Sequence, residues 1–152
     1  MRILFCSSEV APYAKTGGLA DVSAALPVEL RSLGAGCDVV MPLYRSVKKS
    51  RLELKHVTNI SFLSGQGISR ARVFSHGSVY FIENDLYFNR DGYYSYKGRD
   101  FPDNLERYAF FSRACVELAA ALGDTDIIHC NDWQTALVPA YIHALGMTGI
   151  SV

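Results

Sequence analysis

Lys15, Gly17 and Gly18 are the first residues in the chain whose types and spacing could do chemistry. They lie in the stretch from Glu9 to Val22, between an apolar run, Ile3-Leu4-Phe5-Cys6, and an alanine-rich helical pattern from Leu19 to Leu33. The unit reads strand, loop, helix, with the glycine pair where the helix begins. Glycines at that point let backbone approach a ligand closely, and the first helical N–H groups lie free to bind an anion. The helix dipole adds partial positive charge and Lys15 adds a full one, so a phosphate is the natural occupant. Glycines placed only for turning, with a solvated lysine beside them, account for the same residues. A second chemical group follows the apolar segment Asp126 to Cys130, in Asn131-Asp132-Trp133. Asp132 offers a carboxylate to hydroxyls and Trp133 a flat apolar face. Asp132 also stands where a helix N-cap would, and capping alone explains it equally.

Positioning these groups is the task of the elements around them. Beyond Leu33, Gly34-Ala35-Gly36 ends the first helix, which Pro27 disturbs. Cys37 to Leu43 predicts a strand buried on both faces. The basic stretch Tyr44 to Lys55 predicts an exposed connection or short helix. His56 to Leu63, Ser69 to His76 and Ser78 to Glu83 alternate, with turn signals at Ser64-Gly65-Gln66-Gly67 and Gly77-Ser78, and predict a meander or hairpin. Asp85 to Asp103 is rich in Gly, Tyr, Arg and Asp without a sustained period. A loop of that length is uncommon unless functional. Its aromatic faces and charged groups would suit a sugar, although packing onto the body accounts for most of its tyrosines. Phe101 to Leu122 carries the strongest helical pattern, stopped by Gly123. Asp126 to Cys130 predicts a short buried strand, a helix follows to Leu145, and Ile150-Ser151-Val152 begins one more strand. Strands alternating with helices predict an α/β fold with a mostly parallel sheet, whose post-strand loops open on one edge. That rule brings the Lys15 loop and the Asp132 loop together.

Composition bounds the function. One domain is the expectation for 152 residues, and 49% hydrophobic content supports a real core. Fifteen residues of each charge leave no net charge, which favours neither a nucleic-acid surface nor a disordered tail. Cys6, Cys37, Cys115 and Cys130 lack Cys-x-x-Cys spacing and sit in apolar segments, as buried reduced thiols do. The opening apolar run is too short for a signal peptide or a membrane span, so a cytoplasmic first strand is expected. There is no Gly-x-Gly-x-x-Gly after the first strand and no Gly-x-Ser-x-Gly, and Lys15-Thr16 precedes the glycines where a Walker loop requires the reverse order. His56, His76, His129 and His143 are scattered without metal-ligand spacing; His129, inside a strand, is expected to be a satisfied core histidine. No metal or cofactor is called for.

Lys15-Thr16-Gly17-Gly18-Leu19-Ala20-Asp21-Val22 resembles the opening motif of bacterial glycogen synthases and plant starch synthases. Further matches fall in order: Ser8-Glu9-Val10-Ala11-Pro12, then Phe88-Asn89-Arg90-Asp91-Gly92-Tyr93-Tyr94, Asp103-Asn104-Leu105-Glu106-Arg107-Tyr108, and His129-Cys130-Asn131-Asp132-Trp133. Asn131 and Asn89 depart from the family, standing where many members have histidine and aspartate. The resemblance covers nearly the whole chain. It implies the N-terminal lobe, residues 1–152, of a two-lobe GT-B glycosyltransferase built of Rossmann-like halves, with the C-terminal nucleotide-binding lobe outside this chain.

The implied activity is retaining transfer of glucose from ADP-glucose to the non-reducing end of an α-1,4-glucan such as glycogen. The resemblance assigns Lys15 to the donor phosphates, Gly17 and Gly18 to the sugar and phosphate, and Asp132 to the transferred glucose. It also implicates Asp21 and Tyr94 near the site. On this reading the chain alone folds as a compact domain but transfers no glucose, because the partner lobe closes over the donor. A glucan-binding or regulatory fragment of the same lobe, without turnover, is the rival; an unrelated flavodoxin-like or receiver-type domain is a third reading, against which the order of the motifs argues.

Overall fold

The computed structural model describes residues 1–65 and 67–152. Among them, strands β1 (Arg2–Cys6), β2 (Gly36–Pro42), β3 (Lys55–Ser64), β4 (Gly67–His76) and β5 (Val79–Glu83) precede two miniature strands, β6 (Ser95–Tyr96) and β7 (Arg99–Asp100), and then β8 (Ile127–Cys130). Helices α1 (Gly18–Ser32), α2 (Arg45–Lys49), α3 (Asp85–Phe88), α4 (Asn104–Leu122) and α5 (Val138–Ala144) alternate with them, and a 3-10 turn, Trp133–Thr135, precedes α5.

Six strands form one sheet in the order β3-β4-β5-β2-β1-β8. The half β5-β2-β1-β8 is parallel throughout, with α1 linking β1 to β2 and α3 and α4 lying between β5 and β8. The other half is the expected meander, β3 and β4 pairing antiparallel and β4 with β5 likewise. The sheet is therefore mixed, parallel where the chemistry-bearing loops leave it. Gln66, central to the turn signal between β3 and β4, lies outside the described residues.

Continuous apolar sequence explains the parallel half. Leu4, Phe5, Val40, Met41, Phe81, Ile82 and Ile128 are almost wholly buried, and Phe111 and Leu118 of α4 close over them. Gly123 ends α4 at φ 74°, a left-handed cap that a Cβ would strain. Pro27 does not break α1; it lies buried within the helix.

Several expectations are corrected. The stretch Tyr44 to Lys55 does hold a short helix, α2, but Tyr44 at its start is 1% exposed rather than solvated; its ring packs 4.6 Å from Tyr93 and its hydroxyl lies 3.1 Å from that of Tyr108. The predicted helix after Cys130 is divided between the 3-10 turn and α5, with Ala136 and Leu137 between them. The strand expected at Ile150–Val152 is a single parallel bridge, Ile127 to Ser151. Among the described residues, no helix is long and apolar enough to cross a membrane.

Candidate active site

Cys6 ends β1 and Cys130 ends β8 in register, so the loops that follow leave the same sheet edge side by side. Asn131 ties them, its backbone N–H and its Nδ2 both donating to the Cys6 carbonyl, at 3.2 and 3.0 Å. The juxtaposition expected from sheet topology is present.

In the first loop, Lys15 Nζ lies 2.6 and 2.8 Å from the two carboxylate oxygens of Asp21, one turn into α1. Both side chains are more than half exposed, so the pair is screened and its partner exchangeable. Gly17 is the N-cap of α1 and, having no side chain, leaves the helix start without a side-chain cap. Neither Gly17 nor Gly18 has a positive φ, and a Cβ at either would meet nothing within 4 Å. Neither turning nor crowding within this chain therefore demands the glycines, and the space in front of the helix start is open.

The floor of this loop holds a group that the sequence offered only as part of a motif. Glu9 is 3% exposed. Its Oε1 accepts from Thr16 Oγ1 and from the Tyr94 hydroxyl, each at 2.6 Å, and its Oε2 accepts from the Thr16 backbone N–H. Ser7 and Ser23, both buried, brace the turn behind it: Ser23 Oγ donates to Ser7 Oγ, and Ser7 Oγ donates to the Glu9 carbonyl.

Tyr94 arrives from the long segment between β5 and α4, which is not the irregular loop expected but α3 followed by the β6–β7 hairpin. Gly92 makes this possible: it turns at φ 83°, and a Cβ there would lie 2.0 Å from the Ser95 carbonyl oxygen. Arg90 grips Asp103 through two hydrogen bonds, at 2.7 and 2.6 Å, and holds the Asp103 carboxyl below its usual range. Asn104 Nδ2 donates to the Tyr94 carbonyl, and the wholly buried Arg107 donates to Tyr87 O and Asn104 Oδ1. Arg107 Nη2 has no hydrogen-bond partner among the described residues, but the guanidinium lies 4.8 Å from the Phe101 ring centroid and 5.3 Å from that of Tyr108. These bonds explain why Arg90, Asp103, Asn104 and Arg107 occur where they do. Asn89 is turned away to Arg45, whose Nε donates to its side-chain oxygen.

The second loop closes the patch. Trp133 is half exposed, with its ring 5.9 Å from that of Tyr94 and edge-on to Tyr108 at 5.0 Å. Burial pushes the Tyr94 hydroxyl pKa well up, and its bond to Glu9 pushes the same way; burial raises that of Tyr108 to about 12. Asp132 sits at φ 63°, ψ 179°, backbone territory that is essentially glycine's and costs on the order of 1–3 kcal/mol. Its Oδ1 accepts from the adjacent Trp133 N–H at 2.7 Å, whereas a standard N-cap reaches an amide two or three residues on. Its other oxygen has no partner among the described residues. His129 is a correction: it is exposed, stacked at 4.8 Å on buried Phe5, with Nδ1 3.2 Å from Asn131 Nδ2. β8 leaves one face uncovered there, so the residue is not in the core. Among the described residues, no cluster of His, Cys, Asp or Glu could hold a metal ion.

Residues 2–150 match the model of the starch synthase catalytic domain. The chain belongs to that family. It is 48% identical over 149 residues to the glycogen synthase of Syntrophotalea carbinolica, an alignment that covers 93% of this chain and 31% of the relative. The glycogen synthase of Geotalea uraniireducens is 42% identical, with 91% of this chain and 30% of the relative covered. Among solved structures, the catalytic domain of starch synthase IV from Arabidopsis thaliana, bound to ADP and acarbose, superposes with a TM-score of 0.82 at 28% identity, covering 98% of this chain and 32% of that one. The chain thus spans about a third of the length of the relatives it matches. Its mixed sheet with flanking helices is the one that starch synthase catalytic domains use within the GT-B fold. Family membership accounts for the order of the motifs; the hydrogen bonds show what each motif holds in place.

Proposed function

We propose that this chain is the acceptor-side lobe of a glycogen synthase, which transfers glucose with retention from ADP-glucose to the non-reducing end of an α-1,4-glucan. The observation that carries the reading is Tyr94, whose hydroxyl bonds the floor of the Lys15 loop while its ring packs on Trp133 beside Asp132. One residue thereby unites a phosphate-like half-site and a sugar-like half-site. The ADP and acarbose bound by the starch synthase IV neighbour support a nucleotide-linked donor and a glucan acceptor.

In this mechanism the bond from glucose C1 to the diphosphate breaks, ADP leaves with the electron pair, and an acceptor hydroxyl bonds C1 on the same face as its O–H bond breaks and the proton passes to the departing diphosphate. Negative charge grows on the diphosphate as positive charge grows on the sugar ring. Lys15, released from Asp21, and the free amides at Gly17 and Gly18 meet the first of these charges in fixed positions, an interaction that strengthens in the transition state. Asp132 contacts the glucose hydroxyls through the oxygen that Trp133 leaves free. Trp133 and Tyr94 form an apolar wall beside the sugar, and Asp21 holds the lysine in place between turnovers.

The test uses the full-length protein, this lobe joined to the remaining length that its relatives have. Incubated with ADP-glucose and a malto-oligosaccharide, it is expected to release ADP and extend the primer by α-1,4 linkages. Glucan binding without ADP release would instead make the lobe a binding module.

A further inference from the structure

Buried carboxylates ordinarily find a cation, because an ionised carboxylate away from water is costly. Glu9 is 3% exposed and has no ion-pair partner among the described residues. Three donors converge on it instead: the Thr16 N–H, the Thr16 hydroxyl and the Tyr94 hydroxyl. Ser8 Oγ lies 2.8 Å from the same tyrosine oxygen, so Tyr94 can donate to Glu9 while accepting from Ser8. A carboxylate, which only accepts, satisfies all three donors at once; a carboxamide offers one acceptor oxygen and turns an NH2 toward the others.

Thr16 stands between Lys15 and Gly17. Its backbone is pinned at the amide and its side chain at the hydroxyl, both by one buried group. Through Tyr94 that group also reaches the ring against Trp133, next to Asp132. We propose that Glu9 is a positioning residue for glucosyl transfer, fixing the Lys15–Gly18 loop and, through Tyr94, its register with the Asp132 loop. The inference rests on the functional reading above and deepens it: both halves of the site are held by one carboxylate that itself touches no substrate. Preorganisation of the loop matters most when charge develops on the diphosphate, so its loss lowers kcat more than it raises the donor KM.

The experiment measures transfer from ADP-glucose by the full-length protein and by Glu9→Gln, Tyr94→Phe and their double variant, with thermal unfolding and circular dichroism of each. Expected is a kcat lowered about tenfold or more in Glu9→Gln with donor KM changed by less than about twofold, and a double variant no slower than the slower single one, as residues acting as a unit behave. Thr16→Val, at an exposed position, keeps the test alive if Glu9→Gln does not fold: it is expected to slow kcat several-fold, with Thr16→Ser restoring the rate. A folded Glu9→Gln with wild-type kcat, additive losses in the double variant, or a Thr16→Val indistinguishable from wild type would each overturn the proposal. Wild-type protein that transfers no glucose would overturn the functional reading and this proposal with it, whereas normal transfer unaffected by Glu9→Gln overturns this one alone.

Discussion

Lys15 and Asp21 form a two-point ion pair, Nζ to Oδ1 at 2.6 Å and Nζ to Oδ2 at 2.8 Å, on the open side of the α1 N-terminus. The cation that the proposed function assigns to a donor phosphate is thus answered by a carboxylate from its own helix. Because both side chains are more than half exposed, the pair contributes little stability, within about 1 kcal/mol for an exposed pair, and exchanging Asp21 for a phosphate is inexpensive.

Lys15→Ala is therefore expected to leave the fold intact and to lower donor kcat/KM about ten- to hundredfold, the range for one charged contact worth roughly 1.5–3 kcal/mol. Steady-state kinetics with ADP-glucose on the full-length protein, beside a thermal melt, checks both halves of the statement. Unchanged donor kinetics in a folded variant would remove Lys15 from the site.

Asp21→Asn separates holding from binding. It removes the counter-ion of Lys15 but keeps a side chain of the same shape. The melting temperature of the 152-residue chain is expected to fall by no more than the few degrees that about 1 kcal/mol represents in a domain of this size. The small difference from wild type should vanish in high salt, where exposed pairs are screened. A salt-independent loss of several kcal/mol would show that Asp21 is a structural anchor.

Alkaline pH tests the buried tyrosines. Tyr108 is pushed up to about 12 by burial, against an ordinary value near 10. Its contribution to stability is fully present below about pH 10, because the neutral phenol is then favoured in both states. Between about 10 and 12 the unfolded chain gives up a proton that the folded chain keeps, and stability falls with pH at about 1.4 kcal/mol per pH unit for this group. Tyr44 and Tyr94, also raised by burial, shift the same way and steepen the fall. Urea unfolding at several pH values between 9 and 11 is expected to show the decline, shallower in Tyr108→Phe. An equal slope in that variant would contradict the assignment.

Much of this arrangement was legible in residue order. Apolar runs marked β1, β2 and β8, and parallel topology then required the loops after Cys6 and Cys130 to share an edge. The helix start at Gly17-Gly18 and its end near Leu33 followed from composition, as did the α4 stop at Gly123. Glu9 was legible only as a letter in a motif, since nothing local says that a glutamate beside two serines is buried under a residue more than eighty positions away. The ordering of residues 85–103 was hidden for the same reason. It depends on Arg90 meeting Asp103 and Arg107 meeting the Tyr87 carbonyl, contacts with no period to reveal them. His129 was misplaced because a strand position implies burial only when both faces of the sheet are covered. The positive φ of Asp132 was invisible because it occurs at a residue type that usually caps a helix in ordinary geometry.

That backbone gives a stability test of its own. Asp132→Gly removes a side chain that bonds only the adjacent amide and places at φ 63° the one residue that adopts it freely. Relief of strain on the order of 1–3 kcal/mol outweighs the few tenths lost by giving up a cap to glycine. The isolated chain should melt higher, while the full-length variant loses transfer. A lower melting temperature would mean that the Asp132 side chain stabilises the fold more than its backbone strains it.

The most direct measurement is glucosyl transfer by full-length Asp132→Asn, followed as ADP release and primer extension from ADP-glucose. Asparagine keeps the shape and accepts the same hydrogen bond from Trp133 at an unchanged backbone, so the fold is kept while the carboxylate charge is gone. The account predicts a folded protein whose kcat falls at least about a hundredfold, the loss expected when a charged contact made in the transition state is removed. A folded Asp132→Asn that transfers glucose at the wild-type rate would contradict it, leaving Asp132 as the cap of a short turn and the shared edge without its sugar-binding half.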